Sequence, residues 1–265
     1  MHDRARIAIL PPMEVCTTPA LRPNDRRTAR AAVLLLAAGL CLAAAAGCSD
    51  LVAVGRNSQG VRLYERGQYQ EALQEFQEAT YGDPNGPDGY YNLAATYHRL
   101  GKLRNQPDYL ARAETCYRQC LDRNPNHRDC HRGLAVLLAE QGRVDEAFRS
   151  IQTWADQQPS LSAPKVELAR LHEEYGNKSA AKERLVEAIT ANPTDARQWA
   201  ALGKLREDSG EYAQALTNYQ RSLQIDPAQA DVANRAVALQ ATVARQTCPG
   251  TPTTQTAAGP ATPLR

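Results

Sequence analysis

Two hydrophobicity regimes divide this chain. Residues 31–47, "AAVLLLAAGLCLAAAAG", are apolar and uncharged throughout. Beyond residue 50, apolar and polar positions follow the 3.6-residue spacing of amphipathic helices, and that spacing persists to residue 246. The first regime predicts an export or anchoring segment and the second a helical body.

The body is periodic on a larger scale as well. Prolines fall at Pro84, Pro125, Pro159, Pro193 and Pro227, glycines at Gly67, Gly101, Gly142, Gly176 and Gly210, and alanines at Ala72, Ala113, Ala147, Ala181 and Ala215. Each column steps by 34 residues, with a single step of 41. One shared period predicts a stack of helix pairs. The glycine is read as the corner between two helices, where a left-handed residue closes the first at little cost. The alanine, five residues on, permits close approach of helices. Four residues later comes a large apolar side chain: Phe76, Tyr117, Ile151, Leu185 or Tyr219. The proline cannot continue a helix and closes the pair. First helices carry their own pairs, Leu93-Ala94, Leu134-Ala135, Leu168-Ala169 and Leu202-Gly203. In the 41-residue copy the seven extra residues lie within "KLRNQPDYLARAE", which predicts a longer corner with Pro107 opening the second helix.

These columns resemble the tetratricopeptide repeat (TPR). The best copy is "WAALGKLREDSGEYAQALTNYQRSLQIDP", residues 199–227, with Trp199, Leu202-Gly203, Ala215, Tyr219 and Pro227 on the family's marker positions. Arg206 stands where the family usually has an aromatic, and the first copy has Gln59-Gly60 in place of Leu-Gly or Leu-Ala. The resemblance implies an all-α, right-handed solenoid of about five helix pairs, at 53–86, 87–127, 128–161, 162–195 and 196–229. A solenoid needs a polar end cap, and residues 230–246 read as an amphipathic capping helix. The Pro/Thr/Ala-rich stretch 247–265 reads as a disordered tail.

Charge narrows the function. Of 31 basic and 29 acidic residues, six arginines and three acids precede Cys48, leaving 25 against 26 in the remainder. The body is therefore near neutral, and nucleic-acid binding has no electrostatic support. Four arginines (Arg22, Arg26, Arg27, Arg30) precede the apolar run, and Ala45-Ala46-Gly47-Cys48 ends it. A basic segment, a short apolar segment and small residues at a cut site define a secretory signal. Cysteine after small residues resembles the bacterial lipobox, although Ala45 replaces the more usual Leu. Residues 1–47 are thus read as a signal, with Met1 or Met13 as start, and Cys48 as the lipidated mature N-terminus. A retained anchor and an ordinary cleaved signal are the alternatives; the 17 apolar residues fall short of the roughly 20 a span needs. Ser49 after the cysteine points to the outer membrane of a bacterial envelope, rather than the inner, where the enterobacterial sorting rule applies.

No catalytic motif survives inspection: G-x-S-x-G, H-E-x-x-H, phosphate-loop and dinucleotide patterns are missing from the sequence. No enzyme activity, cofactor or resident metal is expected. The turn "DPNGPD", 83–88, lacks the spaced ligands of a cation loop, and "NKS", 177–179, reads as a helix start rather than a glycan acceptor. Cys116, Cys120 and Cys130 lie close in the repeat plan, near His127 and His131. An exported body favours a disulfide, Cys120–Cys130 first and Cys116–Cys130 second. Buried free thiols and a metal site remain open, although the cysteine and histidine spacing matches no standard zinc motif.

A TPR array binds protein segments along its concave face, which the first helices line. Helical spacing puts Tyr64, Tyr91, His98, Arg99, Arg132, Arg170 and Lys204 there, among Glu65, Glu140, Glu173 and Glu174. Carboxylate-clamp TPRs use Lys and Asn at positions that hold Tyr91, Ala95, Arg132 and Val136 here, so that ligand class is not expected. Aromatic and mixed-charge lining suits a peptide or protein segment. Substituting Tyr91 and Arg132 is expected to weaken capture while leaving melting unchanged, since both are read as pointing away from the core. The resemblance extends to lipoproteins that help assemble outer-membrane machines, notably pilotin-type lipoproteins of type IV pili. A module serving a cell-wall or secretion enzyme is the other class of function compatible with these residues.

Overall fold

The computed structural model describes residues 51–247. The signal, Cys48 and nearly all of the tail lie outside the described residues. A first helix, α1, covers residues 51–65. It is followed by α2 (Tyr69–Gly82), α3 (Pro87–Arg104), α4 (Pro107–Arg123), α5 (Arg128–Glu140), α6 (Val144–Gln157), α7 (Ala163–Glu174), α8 (Lys178–Ala191), α9 (Ala196–Glu207), α10 (Tyr212–Ile225) and α11 (Ala230–Thr247). Among the described residues there is no strand. From α2 onward each helix packs on the next, and α3 also touches α5, as α5 touches α7. That adjacency defines a solenoid: first helices contact first helices one repeat away.

The periodic columns form the core. Ala72, Ala113, Ala147, Ala181 and Ala215 are fully buried, and Phe76, Tyr117, Ile151, Leu185 and Tyr219 are buried one turn further along the same helix faces. Burying a side chain of that size contributes about 1.5–3 kcal/mol, so the repeating pair is the main driving force of each corner. A second buried column holds Ala79, Cys120, Trp154, Ala188 and Ser222. Side-chain caps mark the starts of α5, α8 and α9. Asn177 accepts from the Ala180 amide, which makes the "NKS" asparagine the N-cap of α8. Asp83 accepts from the Asn85 and Gly86 amides and shapes the "DPNGPD" turn.

Four corners are alike. Gly67, Gly142, Gly176 and Gly210 all adopt φ of 76–77°, and the second helix starts two residues later. The 41-residue copy differs from the sequence expectation. Gly101 is not its corner; it is buried inside α3, and Asn105 takes the left-handed position with φ 51°. Pro107 then opens α4 two residues later, as in the other corners. The insertion therefore does not lengthen the turn. It adds four residues before the corner and three after it, about one turn to each helix. Adding close to a whole turn on both sides keeps each helix face in phase, so the hairpin is longer but the core register survives.

Candidate functional site

The face formed by the first helices is laced by side chains that reach one repeat across. Successive first helices sit one period apart, so a residue meets partners about 34 positions away, or about 41 across the longer copy. Glu167 on α7 is the clearest case. Its side chain is 1% exposed. Arg128 Nε lies 2.9 Å from Oε1, Arg132 Nη2 2.6 Å from Oε1 and Nε 3.0 Å from Oε2, and Arg170 Nε 3.2 Å from Oε2. Burial alone pushes such a carboxyl up; the hydrogen bonds from Arg132 and Arg128 outweigh it and hold Glu167 below its usual range. Arg170 extends the chain to Glu174 at 2.9 Å, and Arg132 to Asp129 at 3.7 Å.

Toward the N-terminus, Glu140 on α5 gathers His98, at 2.8 Å, and Lys102, both on α3. Desolvation raises the Glu140 pKa, but these two partners bring it below the usual carboxylate value. The Tyr64 ring meets Tyr69 edge-on with centroids 5.1 Å apart, and Arg99 sits over Tyr69 at 5.7 Å with Nε 3.4 Å from its hydroxyl. Tyr91 stacks on His127 at 5.5 Å and tilts against buried Tyr117 at 6.4 Å. Burial raises the pKa of both Tyr64 and Tyr91, so both hydroxyls stay protonated at neutral pH. At the other end Lys204 lies 3.6 Å from Glu173.

The seven residues singled out for partner binding thus fall on α1, α3, α5, α7 and α9, but none is an idle side chain. Arg132 is 40% exposed, His98 12% and Lys204 53%, and each is held by a carboxylate of a neighbouring first helix. Tyr91 packs against the core cluster and Arg132 is paired with Glu167, which corrects the premise that both side chains simply point away from the inter-helix core. Glu167 itself escaped sequence reading. Its signal was a charged residue just before Leu168-Ala169, in a column where other copies have Asn92, Gly133 and Ala201. Arginines stand 35 and 39 positions upstream, about one period away.

Cys120 and Cys130 are joined by a disulfide across the α4–α5 boundary, with Cα atoms 6.5 Å apart, and Cys116 is a buried free thiol. Burial pushes the Cys116 thiol up to about 11, so it is protonated and unreactive at neutral pH. On the second-helix side a cavity of about 330 Å³ is lined by Arg118, His131, Arg149, Thr153 and Trp154, among others. His131 stacks flat on Trp154 there, at 4.0 Å and 7°. Among the described residues no helix is long and apolar enough to cross a membrane.

Comparisons with known proteins agree with this geometry. Family models described as "TPR repeat" and "Tetratricopeptide repeat" match residues 60–101, 87–127, 108–162 and 166–230. The thermophilic TPR protein TTC0263 of Thermus thermophilus superposes with a TM-score of 0.52 at 22% identity, over 71% of this chain and 99% of that one, a likeness of fold alone. Human protein O-mannosyl-transferase TMTC1 is 27% identical over 175 residues, 63% of this chain and 19% of its own length. Cellulose synthase operon protein C of Pseudomonas fluorescens (strain SBW25) is 27% identical over 150 residues, 54% of this chain and 12% of its own. The chain spans a fifth or less of the length of these two relatives, so their activities do not transfer with the match. Matched by these models across residues 60–230, and folded as the columns require, the chain belongs to the tetratricopeptide repeat family.

Proposed function

We propose that this protein is a non-catalytic scaffold of a bacterial cell envelope, tethered through a lipid on Cys48, most simply to the periplasmic face of the outer membrane. It holds a peptide or protein segment against the first-helix face and assists assembly of an outer-membrane machine. The observation that carries the reading is the pre-orientation of Tyr64, Tyr91, Arg99 and Arg132 by neighbours on adjacent helices. Tyrosine and arginine are the usual centres of binding energy at protein interfaces, and side chains already held in place lose less entropy on binding. Membership of a repeat family built for extended contact surfaces supports the same reading.

Crosslinking in the native envelope followed by capture of the full chain tests it. The double variant Tyr91→Ala, Arg99→Ala is expected to weaken capture by about tenfold or more. Undiminished capture by that variant, combined with loss on deleting residues 249–265, would move the binding element to the tail. Captured secretin or pilus components would favour a pilotin-type role, and peptidoglycan enzymes a regulatory one. Labelling with a palmitate analogue tests the tether: wild type should be marked and Cys48→Ser should not.

A further inference from the structure

The corner between α4 and α5 holds more than a disulfide needs. The donor atoms of Cys120, His127 and Cys130 all lie within 4.8 Å of one another. His127 is the N-cap of α5, with Nδ1 accepting from the Cys130 amide at 3.2 Å. Its other nitrogen, Nε2, lies 3.2 Å from Asp88 Oδ1 at the start of α3, and its ring stacks on Tyr91. A carboxylate on one ring nitrogen, with two cysteine sulfurs close to the same imidazole, is the arrangement that orients metal-binding histidines. His131, the other nearby imidazole, is not part of this donor group: its Nε2 is 2.9 Å from the Pro125 carbonyl oxygen, its ring lies on Trp154 and its Nδ1 is buried without a hydrogen-bond partner.

We propose that reduction of the Cys120–Cys130 disulfide turns this corner into a binding site for a thiophilic divalent cation such as Zn²⁺, held by both sulfurs and by His127 Nδ1, with Asp88 as the positioning residue. A dithiol supplies two electrons and two protons and closes to its own disulfide, or a phosphine is oxidised to its oxide with the oxygen of one water whose two protons go to the sulfurs; either way two thiols are left. Binding the dication as a bis-thiolate releases two protons, and the thiolate charges balance the ion. The sulfurs of two thiolates on a tetrahedral zinc with bonds of about 2.3 Å stand about 3.8 Å apart. Backbone positions 6.5 Å apart accommodate that separation by side-chain rotation alone. His127 Nδ1 gives up the Cys130 amide in exchange for the ion, and the fourth position is open to water or an added ligand.

Cobalt substitution of the full chain in detergent, reduced with a phosphine, tests the site. One Co²⁺ per chain should give tetrahedral visible bands and a thiolate charge-transfer band, both displaced by Zn²⁺. Cys120→Ser and Cys130→Ser should each abolish the charge-transfer pattern of the bis-thiolate. His127→Asn should weaken binding by about tenfold or more, and Asp88→Asn by about tenfold. Unreduced protein should give no bands. A reduced chain with no tetrahedral spectrum overturns the proposal, as do bands indifferent to Cys120→Ser or to His127→Asn. Should reduction melt the helical circular dichroism, recovery on adding Zn²⁺ supports the site and no recovery overturns it.

Discussion

The helix pairs through α6 and the pairs after it share one period but not one kind of core. From Ala72 to Leu171 the buried residues join into a continuous cluster that includes Phe76, Tyr97, Tyr117, the Cys120–Cys130 bridge and Trp154. Beyond it the core breaks into two clusters, one around Leu185, Leu202 and Leu205 and another around Tyr219 and Leu239. Polar staples bridge the gaps between these clusters. Ser222 donates from its hydroxyl to the Ala196 carbonyl at 2.8 Å, and Glu207 accepts from Tyr219 at 2.7 Å and from Arg235 at 2.9 Å. Repeat arrays are stabilised as a sum of units and nearest-neighbour interfaces. The comparison therefore teaches that the first half should open as one block while the C-terminal end frays in pieces.

Trp154→Ala should break the comparison hardest. Trp154 fills a column that holds Ala, Cys or Ser in the other copies, and its indole N–H donates to Asn126 at 3.1 Å. Truncation should cost about 3–5 kcal/mol and, in hydrogen exchange, deprotect α2 to α7 together. Leu239→Ala, in the clusters at the other end, should cost about 2–3 kcal/mol and deprotect only α10 and α11. Equal loss of protection along the whole array in both variants would show a single cooperative core and sink the distinction.

Glu167 lies at the seam between the halves, and its substitution sharpens where the seam runs. Glu167→Gln removes the charge that three arginines share, at a cost of about 3 kcal/mol; Arg132→Ala, which leaves Arg128 and Arg170 in place, should cost about 1–2 kcal/mol. Denaturant melts measure both. The pH dependence has a definite sign. The folded pKa of Glu167 lies below its ordinary 4.5, so its contribution is complete above that value and is lost as pH falls through the folded pKa. Glu114, held down by Arg143, and Glu140 act in the same direction. Wild type should lose stability on acidification below about pH 4.5, and Glu167→Gln should lose less over that window.

The helix pairs were legible because each period repeats the same packing problem, and Ala147 with Ile151 solves it as Ala215 with Tyr219 does. Two features were not legible, for physical reasons. Gly101 keeps the phase of the glycine column, yet a helix gains by continuing past it, since the following residues lengthen α3 by a turn without moving its buried face. Column counting fixes phase but not length. The first-helix side chains were misjudged because a helical wheel gives the direction of Arg132 and not its partner. That partner is supplied by the next repeat, Glu167, whose own column is otherwise small or polar. Ion pairs one period apart are visible in a sequence only once the stacking is known.

Gly101→Ala and Gly176→Ala separate the two uses of glycine. A Cβ on Gly101 would sit 2.6 Å from Leu110 Cδ2 and 3.2 Å from the Leu110 backbone nitrogen, so the longer hairpin must splay, at about 1–3 kcal/mol. A Cβ on Gly176 meets nothing within 4 Å, and the cost there is only the left-handed φ of 76°, about 1 kcal/mol. Melting temperatures should rank them in that order; the reverse would mean that α3 and α4 separate easily above the core.

Asn105→Gly should have the smallest effect and the opposite sign. Asn105 closes α3 at φ 51° and ψ 46°, the conformation that the other four corners give to glycine. Asparagine tolerates it better than most residues, yet a Cβ in the left-handed region still carries a penalty that glycine lacks. Against that stands the greater entropy of glycine in the unfolded chain, which opposes the gain. The net should be a stabilisation of a few tenths of a kcal/mol, read as a slightly later denaturant midpoint with an unchanged slope. A loss of more than about 1 kcal/mol would show that the Asn105 side chain holds the corner. The longer hairpin would then differ from the other four in its turn chemistry as well as in its length.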